Sequence, residues 1–396
     1  MEVVKSLGIN TIIVPVPDTI IAELKMKEVT IYDIASKLNL SPSSVSRALN
    51  NITTINHRTR KRVLEVADEM GYRVNNFAQN LRTQKGSKLI GVIIHKLDSQ
   101  FAINALYSIE KVIRSAGYNM LISHSAACLE QEIINAENFF QRRIEGLIVS
   151  LASNTESADH FSKYINNNIP VFLFDSVQIN FPGVKVTLDN VDAAYIATTH
   201  LIEQGCKRII HIAGNQSSSI YSDRLRGYKN ALIAHDIPFD PQLVLQRGID
   251  AHAVPFLTAD ILNMSPLPDG VFVVNDMCGV LCMKSLMQAG IGIPEDMAFV
   301  GFNNDIVSTI VEPNLTTIQY SGTEIGEIVA EAMMDRLDAD TTSAINYTSL
   351  LKGELIIRGS SKRNTKNEKA TCSKEGNNYS NSDKKMLRNE NISIRL

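Results

Sequence analysis

Residues 29–50 constrain the chain more than any other stretch, because they spell two short helices meeting at a tight turn. Thr30, with Asp33 three residues on, makes a capping pair, and Ile31, Ile34, Ala35 and Leu38 then fall on one apolar face. A second start follows at once. Ser41 can cap free backbone N–H groups, Pro42 suits a first helical turn where no donor is needed, and Val45, Ala48 and Leu49 make the buried stripe. That leaves Ser43, Ser44 and Arg47 on the outer face. Small hydroxyls beside one guanidinium fit the DNA major groove, where arginine grips guanine O6 and N7 as a fork and serine meets several base edges. The expectation is a helix-turn-helix reader. Asn56 marks the cap of a third helix, with Val63, Val66, Ala67 and Met70 at helical spacing. His57, Arg58, Arg60, Lys61 and Arg62 crowd its first turns, where they would face phosphate. Any amphipathic helical hairpin shares the apolar pattern, so the polar face is what argues for DNA.

These segments resemble the lactose-repressor (LacI) family of bacterial transcription regulators. Its members open with a Thr-hydrophobic-x-Asp-hydrophobic-Ala helix and a Val-Ser-Arg-x-Leu-Asn recognition helix, here residues 30–35 and 45–50. The resemblance covers about residues 28–358. It continues through Thr59-Arg60-Lys61-Arg62-Val63, Met70-Gly71-Tyr72 and Asn75-Asn76-Phe77-Ala78-Gln79-Asn80-Leu81, the last of which looks like the family's hinge. The resemblance implies that this hinge turns helical on operator DNA and that Leu81 wedges into the minor groove, unstacking a base step. Ordinary linker packing is the alternative for Leu81. Val74 stands where the family usually has proline, implying a less rigid entry to the hinge. The candidate DNA contacts are Thr30, Tyr32, Ser41, Pro42, Ser43, Ser44, Arg47, Asn50, His57, Arg60, Asn75, Ala78 and Leu81. The resemblance also implies a homodimer, and with it an approximately palindromic double-stranded operator.

With 396 residues, 44% of them hydrophobic, the chain can bury the cores of more than one domain. A formal charge of -3 is unusual for a nucleic-acid-binding protein until the cations are located. Lys37, Arg47, Arg58, Arg60, Lys61, Arg62, Arg73, Arg82, Lys85 and Lys88 cluster near the front, so the basic footprint is local. Cys128, Cys206, Cys278, Cys282 and Cys372 are odd in number and dispersed, which argues against a disulfide framework and for a reducing compartment. Cys278 and Cys282 lie one helical turn apart, but no histidine or second cysteine pair completes a metal site. No Gly-x-x-x-x-Gly-Lys phosphate loop, nucleophile elbow or His-Glu-x-x-His occurs, so neither catalysis nor a cofactor is expected. No apolar run is long enough to span a bilayer, and residues 9–21, broken by Asn10, Pro15, Pro17 and Asp18, make a poor signal peptide. A cytoplasmic location without membrane contact is expected. Residues 1–25 read as an extension before a natural start at Met26, and residues 362–396, rich in Asn, Lys, Ser and Glu, read as a disordered tail.

After Lys88, buried strands alternate with amphipathic helices, the pattern of parallel α/β layers. Strands are expected at 89–94, 119–124, 146–150 and 170–174, then at 184–187, 208–213, 271–274 and 297–302. Helices are expected at 101–117, 129–142 and 156–167, then at 191–204, 223–235, 276–289 and 323–337. The fold class is therefore α/β: an all-α helix-turn-helix domain (27–74), a hinge (75–87) and a two-lobed body of doubly wound parallel sheets. The resemblance implies a periplasmic-binding-protein-like body, with one lobe from 88–187 plus 318–345 and the other from 188–317 plus 346–358, closing on a ligand.

Ligands of such lobes bind at the carboxyl ends of strands, so the polar residues there are weighed first. Asp175, Asn275 and Asn303 end three strands, and His95 ends the first. Arg224 precedes Gly227 by three, matching the family's Arg-x-x-Gly element, and Phe101 stands where the family often carries an aromatic after Asn-Pro, here Ser99-Gln100. A guanidinium gives a fixed fork of donors, while Asp and Asn orient hydroxyls from the other side. Each has a plainer use: Arg224 in an ion pair, Asp175 and Asn275 as caps, Phe101 in the core. Asp189 reads as a helix cap. Asn303 replaces the family's usual aspartate, and with no tryptophan in the chain any stacking ring must be Phe or Tyr. The effector expected is a sugar or sugar derivative, with purines, nucleosides and phosphosugars open. The rival reading is a solute-binding protein without DNA function, which would need export.

Overall fold

The computed structural model describes residues 29–49, 55–72, 86–97, 99–339 and 346–363. The chain divides into two compact units between Lys85 and Gly86. Asn50, Asn75, Ala78, Leu81, the 1–25 extension, nearly all of the hinge and the tail beyond Arg363 lie outside the described residues.

Helices α1 (Ile31–Leu38), α2 (Pro42–Leu49) and α3 (His57–Glu69) make the first unit. The carboxylate of Asp33 accepts both the backbone N–H of Thr30, at 2.7 Å, and its hydroxyl, at 2.6 Å, which fixes where α1 begins. Asn39 ends it in the left-handed conformation, φ 53°, that an asparagine tolerates better than most residues. The turn is closed by the Leu40 N–H donating to the Ala35 carbonyl at 2.9 Å. Ser41 Oγ accepts the Ser44 N–H at 3.2 Å, and Asn56 Oδ1 accepts the Arg58 N–H at 2.9 Å, so both later starts are capped. Ile34, Val45, Ala48 and Val63, one or two from each helix, are wholly buried against one another. Lys37 reaches Glu69 at 3.1 Å and braces α1 to α3.

The second unit contains two six-stranded sheets. The first runs through β1 (Leu89–Ile94), β2 (Asn119–His124), β3 (Gly146–Val149), β4 (Val171–Phe174), β5 (Val184–Leu188) and β11 (Tyr347–Leu351), in the spatial order β11-β5-β4-β3-β1-β2. The second runs through β6 (Ile209–Ile212), β7 (Val244–Leu245), β8 (Gly270–Val273), β9 (Ala298–Asn303), β10 (Thr316–Gln319) and β12 (Glu354–Ile356), ordered β12-β10-β9-β8-β6-β7. Pairing is parallel throughout, except that β12 runs antiparallel to β10. Strands such as β3, β4, β6 and β8 are buried at every position, as a sheet covered on both faces requires.

The covering helices are α4 (Gln100–Ser115), α5 (Leu129–Gln141) and the short α6 (Ser162–Asn166) for the first sheet; α7 (Asn190–Glu203), α8 (Ser219–Ala234), α9 (Val254–Leu262) and α10 (Asp276–Gln288) belong to the second. Helix α11 (Gly322–Asp338) returns to the first lobe and packs on α4. Glycines set that packing distance. A Cβ at Gly322 would lie 2.2 Å from the Phe101 carbonyl oxygen, and one at Gly326 2.5 Å from that of Ala105. Among the described residues, no helix is long and apolar enough to cross a membrane.

Several expected elements are corrected. The helix expected over 156–167 is a 3-10 turn, Asp159–Phe161, followed by the five residues of α6, and Ser157 Oγ takes the Asp159 N–H at 3.2 Å where the turn begins. Helix α8 begins at Ser219, four residues before the expected 223. The lobe boundaries also shift. Ile318 and Gln319, expected in the first lobe, pair with Phe302 and Asn303 in the second sheet, and β11, expected in the second lobe, pairs with β5 in the first. The chain therefore crosses between lobes after β5, after β10 and after β11.

Candidate DNA-binding and effector sites

On the first unit, Arg47 is exposed on the outer face of α2, and Ser43 is exposed beside the half-buried Ser44. Their hydroxyls are already tied together: Ser41 Oγ lies 2.9 Å from the Oγ of Ser43 and of Ser44. Tyr32 on α1 is 65% exposed. Pro42 opens α2, Thr30 and His57 are exposed, and Arg60 Nε is buried without a hydrogen-bond partner among the described residues. Helices α2 and α3 thus offer donors, with Lys61 held only loosely at 3.9 Å from Glu65. A surface rich in cations attracts phosphate and base-edge acceptors.

In the second unit, a cavity of about 450 Å³ opens between the lobes. Residues 151–153, 155 and 175–179 form its first-lobe wall, and Asn190, Ser217, Ser219, Asp223 and Arg226 are among those facing them. Asp175 is part of this wall, 6% exposed, at the end of β4. Tyr320 donates its phenol to one carboxylate oxygen at 2.9 Å, and Ser150 Oγ lies 3.4 Å from the other. His95 Nδ1 is 2.8 Å from Ser150 Oγ and 3.8 Å from Asp175 Oδ2. Burial raises the Asp175 pKa, opposed by His95, the Tyr320 phenol and Arg224.

Arg224 is buried from the cleft. Its Nε donates to Asn190 Oδ1 at 2.9 Å and its Nη1 to the Val274 carbonyl at 2.7 Å, while the guanidinium lies 3.4 Å from the centre of the Phe302 ring. Burial pushes its pKa down to about 10, and Tyr221 and Asp175 oppose that shift. Arg226, paired with Asp223 at 3.0 Å, lines the cavity instead. Gly227 lets α8 sit this close to α7, since a Cβ there would be 2.2 Å from the Val191 carbonyl oxygen.

The structure brings His95, Asp175 and Phe101 together and sets the asparagines apart. Phe101 does not offer its face to the cavity; it is buried and stacked on Tyr320 with ring centres 4.3 Å apart. Asn275 caps α10, accepting the Cys278 N–H at 3.1 Å, and Asn303 ends β9 at φ 108° with Nδ2 3.5 Å from Asp305 Oδ2. Neither lines the cavity. Asp189 caps α7 as expected, accepting the Asp192 N–H at 3.1 Å, and also lines the cavity. Sequence reasoning missed Ser150, Asn190 and Tyr320. Ser150 ends β3 as Asp175 ends β4, so applying the strand-end rule to every strand would have found it.

The chain is matched by two family models: bacterial regulatory proteins of the lacI family over residues 30–75, and a periplasmic binding protein-like domain over residues 198–361. It is 30% identical over 334 residues to the HTH-type transcriptional repressor CytR of Escherichia coli, covering 84% of this chain and 96% of that protein. The lac repressor dimer bound to operator and the anti-inducer ONPF superposes with a TM-score of 0.70 at 23% identity, covering 85% and 99% of the two chains. The CelR–cellobiose complex superposes at 0.62 with 22% identity, covering 84% and 100%. A three-helix unit with an outward arginine, followed by two lobes around a cleft, is thus joined to a near full-length relative, and the chain belongs to the lacI family of bacterial regulatory proteins: a non-catalytic, DNA-binding transcriptional regulator.

Proposed function

We propose that this regulator is a repressor that binds an approximately palindromic operator as a homodimer, and that a sugar or sugar derivative in the interlobe cleft sets its operator affinity. The outer face of α2 carries the proposal: Arg47 is exposed there, as Tyr32 is on α1 and His57 and Arg58 are at the start of α3. In this reading Arg47 forks onto a guanine, and Ser43 and Ser44 exchange their hydrogen bonds to Ser41 for base edges. Thr30, Ser41, Pro42, Asn50, His57 and Arg60 position the unit on the backbone, while Asn75, Ala78 and Leu81 of the hinge reach the minor groove.

The cleft reading gives Asp175, with His95 beside it, the polar end of the effector site, backed by the buried Arg224, while Asn275 and Asn303 stay outside the cavity lining. CelR, solved with cellobiose, supports a sugar as the effector class. A ligand moves operator binding only through its different affinity for the two states, typically about 1–3 kcal/mol, or 5- to 150-fold.

A genome-wide footprint with the purified protein, followed by fluorescence anisotropy on the bound fragment with cellobiose, D-ribose and D-glucose, tests this. A dyad-symmetric site whose affinity shifts with one of the sugars is expected. Uniform binding to all fragments would overturn the operator reading; a site unmoved by every sugar would overturn the effector class.

A further inference from the structure

Asp175 engages every polar atom it has. It sits at φ 58°, in the left-handed region. Its N–H donates to the Val186 carbonyl at 2.9 Å, and its own carbonyl accepts the Thr187 hydroxyl at 2.8 Å. Its carboxylate takes the Tyr320 phenol on one oxygen at 2.9 Å and faces Ser150 and His95 with the other. Tyr320 belongs to one of the three segments that run between the lobes, and Thr187 stands near the end of the strand that leads into another. Thr187 is in β5, just before α7 begins in the second lobe; Tyr320 lies between β10 of the second sheet and α11 of the first lobe.

One residue therefore fastens the end of β4 to the foot of one crossover, in β5, and to the tyrosine within another, and the same residue lines the cavity. The phenol has little freedom to leave. Tyr320 is 4% exposed, its ring is stacked on Phe101, and Gly322 two residues on is pressed against the Phe101 carbonyl. A buried phenol without its acceptor is penalised, so the lobes hold the relation in which this bond can be made.

We propose that Asp175 and Tyr320 form the hinge latch of the sensor: Tyr320 is a positioning residue that sets the resting closure of the lobes, and a hydroxyl-bearing effector acts by competing for the Asp175 carboxylate. Only the second half of this statement rests on the cleft being the effector site. The first half holds without ligand, and the test is made there.

Hydrogen exchange is measured on the full-length, unliganded protein as wild type, Tyr320→Phe, Thr187→Val and Thr187→Ser. Tyr320→Phe keeps the ring on Phe101 and removes only the donor. Amide exchange in residues 187–191 and 320–323 is expected to rise about fivefold or more, while β1 and β8 stay as in the wild type. Thr187→Val, which removes the hydroxyl at the foot of the other crossover, is expected to reproduce the rise, and Thr187→Ser to return it to within about twofold of wild type. On the footprinted operator, Tyr320→Phe is expected to change unliganded affinity about fivefold or more. Unchanged crossover exchange, or a rise spread evenly through both lobes with operator affinity unchanged, would make Tyr320 a packing residue and overturn the latch. Should Tyr320→Phe fail to fold, the threonine pair decides the question alone. Should no operator be found, the reading of the DNA-binding unit fails while the exchange data still judge the latch.

Discussion

In the three-helix unit, Arg47 stands exposed on a helix whose opposite face supplies Val45 and Ala48 to the core; in the body, Arg224 is 3% exposed, with donors on Asn190 and on the Val274 carbonyl. The sequence marks both as ligand-reading arginines. The first is available to a partner, since everything that holds its helix in place lies on the other side. The second also holds the protein together, bracing α8 against α7 and the end of β8. A surface reader and an interior brace of the same residue type respond differently to truncation, and that difference can be broken or sharpened by experiment.

The largest effect is expected at Arg224. Changing it to alanine strands two buried acceptors and empties the space over Phe302, and a loss of about 2–4 kcal/mol in unfolding free energy by urea titration is expected. A loss below about 1 kcal/mol would show that the side chain spends its donors on the ligand and not on the fold. Arg47→Ala is expected to leave unfolding within about 0.5 kcal/mol of wild type. Its cost falls on recognition: preference for the operator over random DNA should drop by about 1–3 kcal/mol at fixed salt in competition binding. A uniform loss on every sequence would reassign Arg47 to phosphate.

Asp276 sharpens the contrast between interior and surface. It is wholly buried, accepting the Thr317 hydroxyl at 2.7 Å and the Asp305 N–H at 2.8 Å, and burial pushes its pKa up to about 7 from 3.8. Between those two values the native state holds a proton that the unfolded chain releases, so this group's contribution to stability falls as pH rises toward about 7 and is flat above it. Asp276→Asn removes that slope. Measured by urea unfolding at pH 5 and pH 8, the variant is expected to gain about 1–3 kcal/mol on the wild type over that interval. An unchanged difference would place the Asp276 carboxylate outside this titration. The smallest effect belongs to the Lys37–Glu69 pair, whose side chains are 48% and 65% exposed; Lys37→Met should cost less than about 1 kcal/mol and lose that cost in high salt.

The first unit was legible because its determinants are local. Thr30 and Asp33 are three residues apart, and Asn56 caps its own helix, so caps, stripe and outer face can all be read within one turn or two. Continuous apolar runs such as 89–94 were equally plain. Strand β11, Tyr-Thr-Ser-Leu-Leu, was not, because it lies at the sheet edge and leaves three of its five residues exposed, so it lacks an apolar run. Helix α9 was hidden by Pro255, which reads as a breaker although a first helical turn accepts it. The effector site was half legible for a related reason. Strand ends announce Asp175 and His95, but the Tyr320 phenol reaches Asp175 across 145 residues of sequence and follows β10, which was itself unseen. Arg224 could be named from its spacing to Gly227; that it faces Asn190 and a carbonyl, with Arg226 turned to the cavity, depends on how α8 lies on α7.

Competition binding of the full-length protein to its footprinted operator against random duplex, at one fixed salt concentration and with and without the sugar panel, tests the central claim most directly. A preference of about 10³-fold or more for the operator, moved about 5- to 150-fold by a sugar, is the expected result. Equal affinity for operator and random duplex under every condition would contradict it.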